Sequence, residues 1–311
     1  MNFIFHIGTH KTGSTALQSF LFSNRDMLLK LGILYPTTGL VDKAHHDVAW
    51  MIGSGNVNKV MELFAKIESE ASALGLENVL LSSEEFEFIR NMDILKNHIA
   101  KKFKIKTIVF IRRPDFYLES EYNQHVRMYS IRFKNDIYKF YFHIDFLTRL
   151  NYRHLCSSWN SFSDVNVINY DHCLTEKQAI FKALIKHIGI DWDDSFSIPY
   201  DRESNISLSS IGTIYLSRMN RLDFSPSLHQ NAIKVVSETF DSLPKRWLLS
   251  LEDKLTLWRR FDSTNSFVSK HYNVEPFAKP CATESMDETP IDYHSDFNED
   301  IFCTLLNQIK E

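Results

Sequence analysis

Apolar and polar residues alternate along the chain in blocks that predict strands followed by helices. Compact apolar runs bounded by polar residues or glycine predict four buried strands, over residues 2–7, 78–83, 105–111 and 165–169. Apolar residues at helical spacing predict helices over 13–31, 57–74, 177–188, 207–222 and 251–271. This order predicts an α/β fold: a central, mainly parallel sheet with helices on both faces, followed by a helical C-terminal part.

The chain changes character near its end. Residues 281–309 contain no Lys or Arg, whereas seven Asp or Glu residues lie between positions 284 and 300. A segment of this composition buries little apolar surface. We therefore predict one folded domain over 1–275 and an acidic, partly flexible C-terminal tail over 276–311, with a helical segment around 301–309.

Composition and charge narrow the classes of function. Hydrophobic residues make up 44% and charged residues 24% of 311 residues, as in ordinary globular proteins. A net charge of -4 argues against general nucleic-acid binding. The N-terminus lacks the basic start and long apolar run of a signal peptide, and no window has the apolar length of a membrane span. These features predict a cytoplasmic protein without a membrane span.

The cysteines and aromatic residues predict packing rather than a metal centre. The four cysteines show no CxxC pair or metal-ligand spacing, so we expect reduced thiols and no metal site. Aromatic residues make up 13% of the chain, which indicates thick core packing. The alternative is an aromatic cleft for a purine or a sugar.

A polar loop follows the first predicted strand and leads into the first long helix. Residues 8–15 read Gly-Thr-His-Lys-Thr-Gly-Ser-Thr. Backbone N–H groups at a helix start bind anionic oxygens, the helix dipole adds positive potential, and glycine lets the backbone approach a phosphate closely. The candidate anion-binding residues are His10, Lys11, Thr12, Gly13, Ser14 and Thr15.

The loop differs from the ATP/GTP P-loop, GxxxxGK[ST], which is the nearest general motif. Gly8 and Gly13 match, but Ser14 stands where the P-loop has lysine, and the lysine lies inside the loop as Lys11. The sequence also shows no strong Mg²⁺-binding Asp at the end of an apolar strand. An ATP-dependent P-loop small-molecule kinase remains an alternative, as does a non-catalytic nucleotide-binding scaffold.

A second candidate anion site follows the strand predicted over 105–111. The strand ends at Arg112, Pro114 fits the first turn of a helix, and Ser120 follows eight residues after Arg112. A guanidinium group binds phosphate through two parallel hydrogen bonds, and a hydroxyl on the next helix adds a donor. Taken alone, Arg112 is equally compatible with a surface salt bridge.

Together these two motifs resemble the donor-binding motifs of sulfotransferases that use 3′-phosphoadenosine-5′-phosphosulfate (PAPS). HKTGST resembles their 5′-phosphosulfate loop, and Arg112 with Ser120 resembles the pair that binds the 3′-phosphate. The resemblance implies PAPS as sulfuryl donor, the desulfated nucleotide PAP as product, and no required metal. A dedicated 3′-phosphate site separates PAPS from ATP.

Other segments are similar to bacterial sulfotransferases that modify glycans. They are residues 32–36, 44–46 and 80–84, and Asn265, so the resemblance covers about residues 3–272. The chain lacks the Gly- and Lys-rich C-terminal loop of cytosolic small-molecule sulfotransferases and the Golgi anchor of eukaryotic glycan enzymes. The resemblance therefore implies a hydroxyl or amine acceptor on a glycan or polysaccharide precursor.

The resemblance also suggests catalytic roles. Lys11 would stabilise the leaving phosphate. In the family the general base, Glu or His, commonly lies at the end of the strand preceding the 3′-phosphate strand, and Glu84 occupies that place. Glu85 is a rival, and both fit equally the acidic first turn of a helix. His45 and His46 are second candidates for base or acceptor binding.

Overall fold

The computed structural model describes residues 1–143, 146–174, 176, 178–199, 208–243, 246–281, 291 and 293–310. The chain divides into two compact units. The sheet unit comprises Met1–Arg112, Asn151–Tyr200 and Ser263–Phe277, and the helical unit comprises Arg113–Leu150, Asp201–Asp262 and Ala278–Glu311. Both units are discontinuous in sequence, and the boundary expected after residue 275 stays a prediction.

A parallel sheet forms the centre of the sheet unit, as the sequence predicts, and it has five strands rather than the predicted four. Its strands are β1 (Asn2–His6), β2 (Ile33–Leu34), β3 (Asn78–Ser82), β4 (Lys104–Ile111) and β5 (Asp164–Asn169), in the spatial order β2-β3-β1-β4-β5. The two-residue strand β2 pairs with the start of β3 at one edge. It is absent from the sequence prediction because two residues carry no periodicity.

Helices surround this sheet. Those of the sheet unit are α1 (Ser14–Ser23), α2 (Arg25–Lys30), α3 (His46–Gly53), α4 (Val57–Ala73), α5 (Ala100–Lys102), α9 (Tyr152–Asn160), α10 (Tyr170–Cys173) and α11 (Ala179–Ile188). A 3-10 helix spans Glu84–Phe88 and a π-helix spans Leu95–Ile99.

The two faces of the sheet bury different side chains because successive residues of a strand point to opposite sides. Ile4 packs in one core cluster with Leu17 of α1 and Leu184 of α11. The rings of Phe3 and Phe5 lie in an aromatic cluster on the other face, where Phe3 is 5.1 Å from Phe64 and Phe5 is 5.5 Å from Trp159 between ring centroids. Much of the aromatic content of the chain is therefore core packing.

The helix predicted over 13–31 is two helices, α1 and α2, that meet at Asn24. The side chain of Asn24 donates from Nδ2 to the carbonyls of Phe20 and Ser197, both at 2.8 Å, and accepts at Oδ1 from the Ser197 N–H. An Asn side chain that bonds to backbone groups competes with helix propagation. The long helix predicted from apolar spacing is therefore wrong at this position.

The helical unit is described by α6 (Pro114–Arg127), α7 (Ile137–His143), α8 (Phe146–Arg149), α12 (Ser210–Met219), α13 (Pro226–Phe240) and α15 (Glu299–Lys310). Helix α14 (Leu251–Tyr272) contributes residues to both units. The expected helix near the C-terminus is confirmed, and Nδ2 of Asn231 on α13 donates to the Ile309 carbonyl on α15 at 3.1 Å. Part of the acidic tail, 282–290, 292 and 311, lies outside the described residues.

Candidate functional site

The candidate site lies at the carboxyl ends of three neighbouring strands. Strand β1 lies between β3 and β4, and all three run parallel. From β1 the chain builds β2 and β3 on one side, then returns to build β4 and β5 on the other. The boundary between β1 and β4 is thus the topological switch point, where open α/β sheets bind ligands. The loop of residues 7–13, which connects β1 to α1, begins at this point.

The loop after β1 is stabilised from within by two threonine hydroxyls. Thr9 Oγ1 donates to the Phe110 carbonyl of β4 at 2.8 Å, and Thr12 Oγ1 donates to the Thr9 carbonyl at 2.5 Å. Both threonine side chains are fully buried. The Thr12 hydroxyl therefore stabilises the loop, and the backbone N–H of Thr12 is the group left to contact an anion.

Gly13 connects the loop to α1 in a left-handed conformation, with φ of 75°. A Cβ at this position would lie 2.6 Å from Cδ1 of Ile180 and 3.2 Å from Cε2 of Tyr170. Only glycine fits without strain. Gly13 has no side chain to cap α1, so the first-turn N–H groups, which have no intrahelical acceptors, are the polar groups at this helix start. Ser14 is buried and Thr15 is exposed.

Arg112 extends from the end of β4 to this loop. Its Nη1 donates to the Lys11 carbonyl at 2.8 Å, and Lys11 itself has a positive φ of 65°. Nε of Arg112 lies 3.6 Å from Oδ1 of Asp171 and has no hydrogen-bond acceptor among the described residues. The hydroxyl of Tyr152 donates to the Arg112 carbonyl at 2.8 Å. The structure thus brings the guanidinium of Arg112 to the backbone of Lys11, the other predicted site cation.

Arg113 and Ser120 belong to the helical unit. Arg113 is buried and donates from Nε and Nη2 to the two carboxylate oxygens of Asp115, at 2.7 and 2.9 Å. This pairing commits the guanidinium of Arg113 to a carboxylate, and the choice of Arg112 as the phosphate ligand stays a prediction. Ser120 is half-buried on α6. Its pairing with Arg112 on one phosphate stays a prediction.

Glu84 follows β3 and contacts the first helix. The side-chain amide of Gln18 on α1 donates from Nε2 to Oε2 of Glu84. His6, at the end of β1, is fully buried, and its Nδ1 is 2.7 Å from the Ser82 hydroxyl of β3. Burial lowers the pKa of His6 to about 4, against the opposing effect of the Glu84 charge. His6 is therefore a neutral core histidine.

His45 has both ring nitrogens in hydrogen bonds to the backbone. The Ser82 N–H donates to Nδ1 at 3.1 Å, so Nε2 carries the proton and donates to the Pro36 carbonyl at 3.0 Å. The side chain is fully buried, and burial lowers the pKa of His45 to about 4. This geometry favours a structural role in which His45 attaches the segment around Pro36 to β3.

His46 lies in a more exposed cluster at the end of β3. Its Nδ1 is 2.8 Å from the Ser83 hydroxyl, and its ring lies 5.6 Å from the ring of Trp50 at an interplanar angle of 24°. Nε1 of Trp50 donates to Oε2 of Glu85 at 3.1 Å. The Trp50 side chain is 51% exposed, which is unusual for an indole and leaves apolar ring surface beside the site.

The structure adds Glu87, which sequence reasoning missed. Its carboxylate is buried, and Oε2 accepts the backbone N–H of His10 at 2.8 Å and lies 3.2 Å from Nδ1 of the same residue. The sequence gives only a weak indication that Glu87 contacts the loop. Glu84, Glu85 and Glu87 form one acidic run, and the 3-10 turn decides which of them faces the loop.

Among the described residues, no group of three or more His, Cys, Asp or Glu side chains is arranged to hold a metal ion. In the same part of the chain, no helix combines the length and apolar character that crossing a membrane requires.

Comparison with known proteins gives limited similarities. No family model matches the chain. An uncharacterized protein of Archaeoglobus fulgidus is 27% identical over 205 residues, which cover 62% of this chain and 53% of that protein. The chain thus matches about half the length of this relative. Among solved structures, the sulfotransferase domain of the Synechococcus PCC 7002 olefin synthase aligns over 78% of this chain and 94% of that domain, at 14% identity and a TM-score of 0.32.

Proposed function

We propose that this protein is a PAPS-dependent sulfotransferase. The observation that carries the proposal is the contact between Arg112 and the Lys11 carbonyl at the switch point of the sheet. It places a guanidinium group and a lysine-bearing anion loop on neighbouring strand ends. A nucleotide with phosphate groups at both its 5′ and 3′ positions matches two such cationic groups, whereas ATP carries all its phosphates at one end.

The loop supplies the 5′ end of the proposed donor site. Backbone N–H groups of residues 12–15 and the positive end of α1 would hold the 5′-phosphosulfate, with Ser14 and Thr15 as hydroxyl donors. His10 and Lys11 border the same anion. Arg112 and Ser120 are the proposed ligands of the 3′-phosphate. Asp171 beside Arg112 keeps the guanidinium oriented at some cost to its affinity for a phosphate.

Sulfuryl transfer follows the logic of in-line phosphoryl transfer. The acceptor oxygen forms a bond to sulfur while the bond from sulfur to the 5′-phosphate oxygen breaks, so PAP leaves with the electron pair. Negative charge grows on that leaving oxygen, and Lys11 stabilises it. The acceptor proton requires a base, for which Glu84 is the candidate by position, with Glu85 and His46 nearby.

The cluster of His46, Trp50 and Glu85 is the proposed acceptor side of the site. An exposed indole face with a carboxylate fixed at its N–H offers apolar contact and a hydrogen-bond acceptor together. A sugar ring, apolar on its C–H face and rimmed by hydroxyl groups, has the complementary surface. This supports a glycan or polysaccharide precursor as acceptor.

Calorimetry tests the donor assignment. PAP, ADP and AMP are titrated without Mg²⁺ into the wild-type protein and into Arg112→Ala. We expect PAP to bind best, and Arg112→Ala to lose about tenfold to a hundredfold in PAP affinity, or roughly 1.4 to 3 kcal/mol. Arg153→Ala is the matched control, since the guanidinium of Arg153 lies over the Phe267 ring, 4.4 Å from its centroid. Equal binding of ADP and PAP would favour a kinase, and absence of nucleotide binding would favour a scaffold.

A further inference from the structure

We propose that His10 accepts the proton of the acceptor during transfer, and that the buried carboxylate of Glu87 orients it. The proposal rests on the sulfotransferase function proposed above and assigns its base. The base is then His10 rather than Glu84, which is the candidate by its position after β3. His10 would be a catalytic residue, and Glu87 a positioning residue.

The geometry determines the tautomer of His10. A carboxylate only accepts hydrogen bonds, so the Nδ1 that lies 3.2 Å from Oε2 of Glu87 carries the proton in the pair. The neutral imidazole then presents a lone pair at Nε2. A histidine held in this way by a buried carboxylate is the arrangement that lets Nε2 take a proton from a nucleophile in hydrolases.

His10 and Glu87 differ in burial, as the catalytic and the positioning role require. The Glu87 side chain is 3% exposed, whereas the imidazole of His10 is 19% exposed at the surface of the loop. The ring of Phe88 lies 5.0 Å from the imidazole, between centroids. Glu87 is thus shielded from solvent, where its charge acts strongly on the imidazole, while His10 is close enough to solvent to meet a substrate.

The backbone places His10 next to the proposed leaving-group cation. Glu87 accepts the His10 N–H at 2.8 Å, and Arg112 donates to the carbonyl of Lys11 at 2.8 Å. The His10–Lys11 dipeptide is therefore held by two side chains, one following β3 and one at the end of β4, the two strands on either side of β1. The base and the lysine that stabilises the leaving oxygen sit on consecutive residues of one fixed loop.

Glu84 has a different hydrogen-bond environment from that of His10. Its Oε2 accepts from the Gln18 amide, which is a neutral donor. The Gln18 amide thus already donates to one of the two oxygens of Glu84 that could take the acceptor proton, whereas Glu87 contacts His10 at Nδ1, the ring nitrogen that carries the proton. Charged or titratable groups near the His10–Glu87 pair include Arg90, whose Nη1 donates to the Glu87 carbonyl at 3.2 Å, and Tyr152, on which the Glu87 charge acts. Lys11 follows His10 in the loop, and Arg112 donates to the Lys11 carbonyl.

The proposed step transfers one proton to His10 and one sulfuryl group to the acceptor. The O–H proton of the acceptor moves to Nε2 of His10, the acceptor oxygen forms its bond to sulfur, and the bond between sulfur and the 5′-phosphate oxygen breaks. PAP leaves with that electron pair. The imidazolium that forms is stabilised by the carboxylate of Glu87, and it later returns the proton to solvent.

Two reactions that need no identified acceptor separate base catalysis from donor binding. Hydrolysis of PAPS uses water as acceptor and requires a base. In the reverse direction, transfer from p-nitrophenyl sulfate to PAP needs no proton transfer, because both the attacking phosphate and the leaving phenolate are anions. Both rates are measured against pH for the wild type, His10→Gln, Glu87→Gln, Glu87→Asp and Glu84→Gln. His98→Gln, at an exposed histidine of the π-helix, is the control.

We expect His10→Gln to slow hydrolysis by about 10²-fold and to remove its rise with pH. Because His10 also borders the donor anion, transfer to PAP and PAP affinity should fall as well, but by no more than about tenfold. Glu87→Gln removes the negative charge beside the imidazole, so the rise in hydrolysis moves to lower pH by about one unit and the plateau falls. Glu87→Asp restores part of the plateau.

Three outcomes would overturn the assignment. Retention of hydrolysis and its pH dependence in His10→Gln, with their loss in Glu84→Gln, would assign the base to Glu84. An equal loss of both reactions in His10→Gln would show that His10 binds the donor only. A wild type that binds PAP no better than ADP, or that turns over neither substrate, would refute the sulfotransferase function itself.

Discussion

Nη1 of Arg112 donates a 2.8 Å hydrogen bond to the carbonyl oxygen of Lys11. The two residues are 101 positions apart in sequence. Lys11 adopts a positive φ of 65°, which non-glycine residues rarely adopt unless the surroundings stabilise it. Arg112 therefore has two roles. Its hydrogen bond supports the conformation of the loop, and its guanidinium group brings a second positive charge to the same strand ends.

Arg112→Lys separates these two roles. Lysine keeps the charge but lacks the planar fork that bonds to the loop carbonyl and a phosphate together. We expect the affinity for PAP to fall about tenfold, with a smaller loss for AMP, measured by calorimetry. Arg153→Lys is the control. An unchanged PAP affinity in Arg112→Lys would mean that charge alone matters at this position.

Lys11→Gln tests the leaving-group role. Because the charge on the 5′-phosphate oxygen grows during the reaction, we expect PAPS turnover to fall by about 10²-fold or more. The affinity for PAP should fall less than the turnover number, as determined by steady-state kinetics and calorimetry on the same preparation. A loss confined to affinity would instead assign Lys11 to ground-state binding.

Gly13→Ala should destabilise the protein by more than Gly55→Ala. The two glycines have nearly the same backbone conformation, with φ of 75° and 76°. A Cβ at Gly55 meets nothing within 4 Å, whereas one at Gly13 lies 2.6 Å from Cδ1 of Ile180. The difference in free energy of unfolding, measured in urea, should be about 1–3 kcal/mol. Equal effects would show that Ile180 moves aside at no cost.

Protein stability should fall with decreasing pH through the buried His45. The folded protein resists protonation of this side chain down to about pH 4, whereas the unfolded chain takes up the proton near pH 6.5. Unfolding therefore binds a proton in this window, and the stabilisation present above pH 6.5 is lost towards pH 4 at about 1 kcal/mol per pH unit.

The measurement compares urea unfolding at pH 7 and pH 5 for the wild type and His45→Gln. Gln provides an acceptor for the Ser82 N–H and a donor for the Pro36 carbonyl but binds no proton. Its stability should depend less on pH than that of the wild type. His6→Gln, whose pKa is lowered to about 4 for the same reason, gives a second measurement. Parallel pH profiles in all three proteins would contradict the prediction.

Three of the four cysteines should react in two groups. Cys281 and Cys303 are exposed, whereas Cys156 is fully buried, and burial raises the pKa of its thiol to about 12. Because the thiolate is the reactive species, a disulfide reagent should label the exposed pair within seconds and Cys156 only upon unfolding. Mass spectrometry of labelled peptides reports this order, and rapid labelling of Cys156 would contradict its burial.

Most of the strands and the loop after β1 could be predicted from the sequence. Apolar runs such as Ile105–Ile111 are buried on both faces of a parallel sheet, so their composition alone identifies them. The loop was recognisable because its chemistry depends on adjacent residues, and Gly13 does have the positive φ that a glycine at a helix start allows. The break at Asn24 was not predictable, because it depends on a bond to Ser197, distant in sequence.

Periodicity and local motifs are properties of neighbouring residues, so the parallel α/β architecture and the run from His10 to Thr15 can be recognised without a structure. Which side chains meet at the strand ends depends on the tertiary structure. Strand order brought Arg112 to Lys11, and the 3-10 turn after β3 directed Glu87, rather than Glu84, towards His10. Such contacts depend on strand order and on a single turn of backbone, which sequence spacing does not encode.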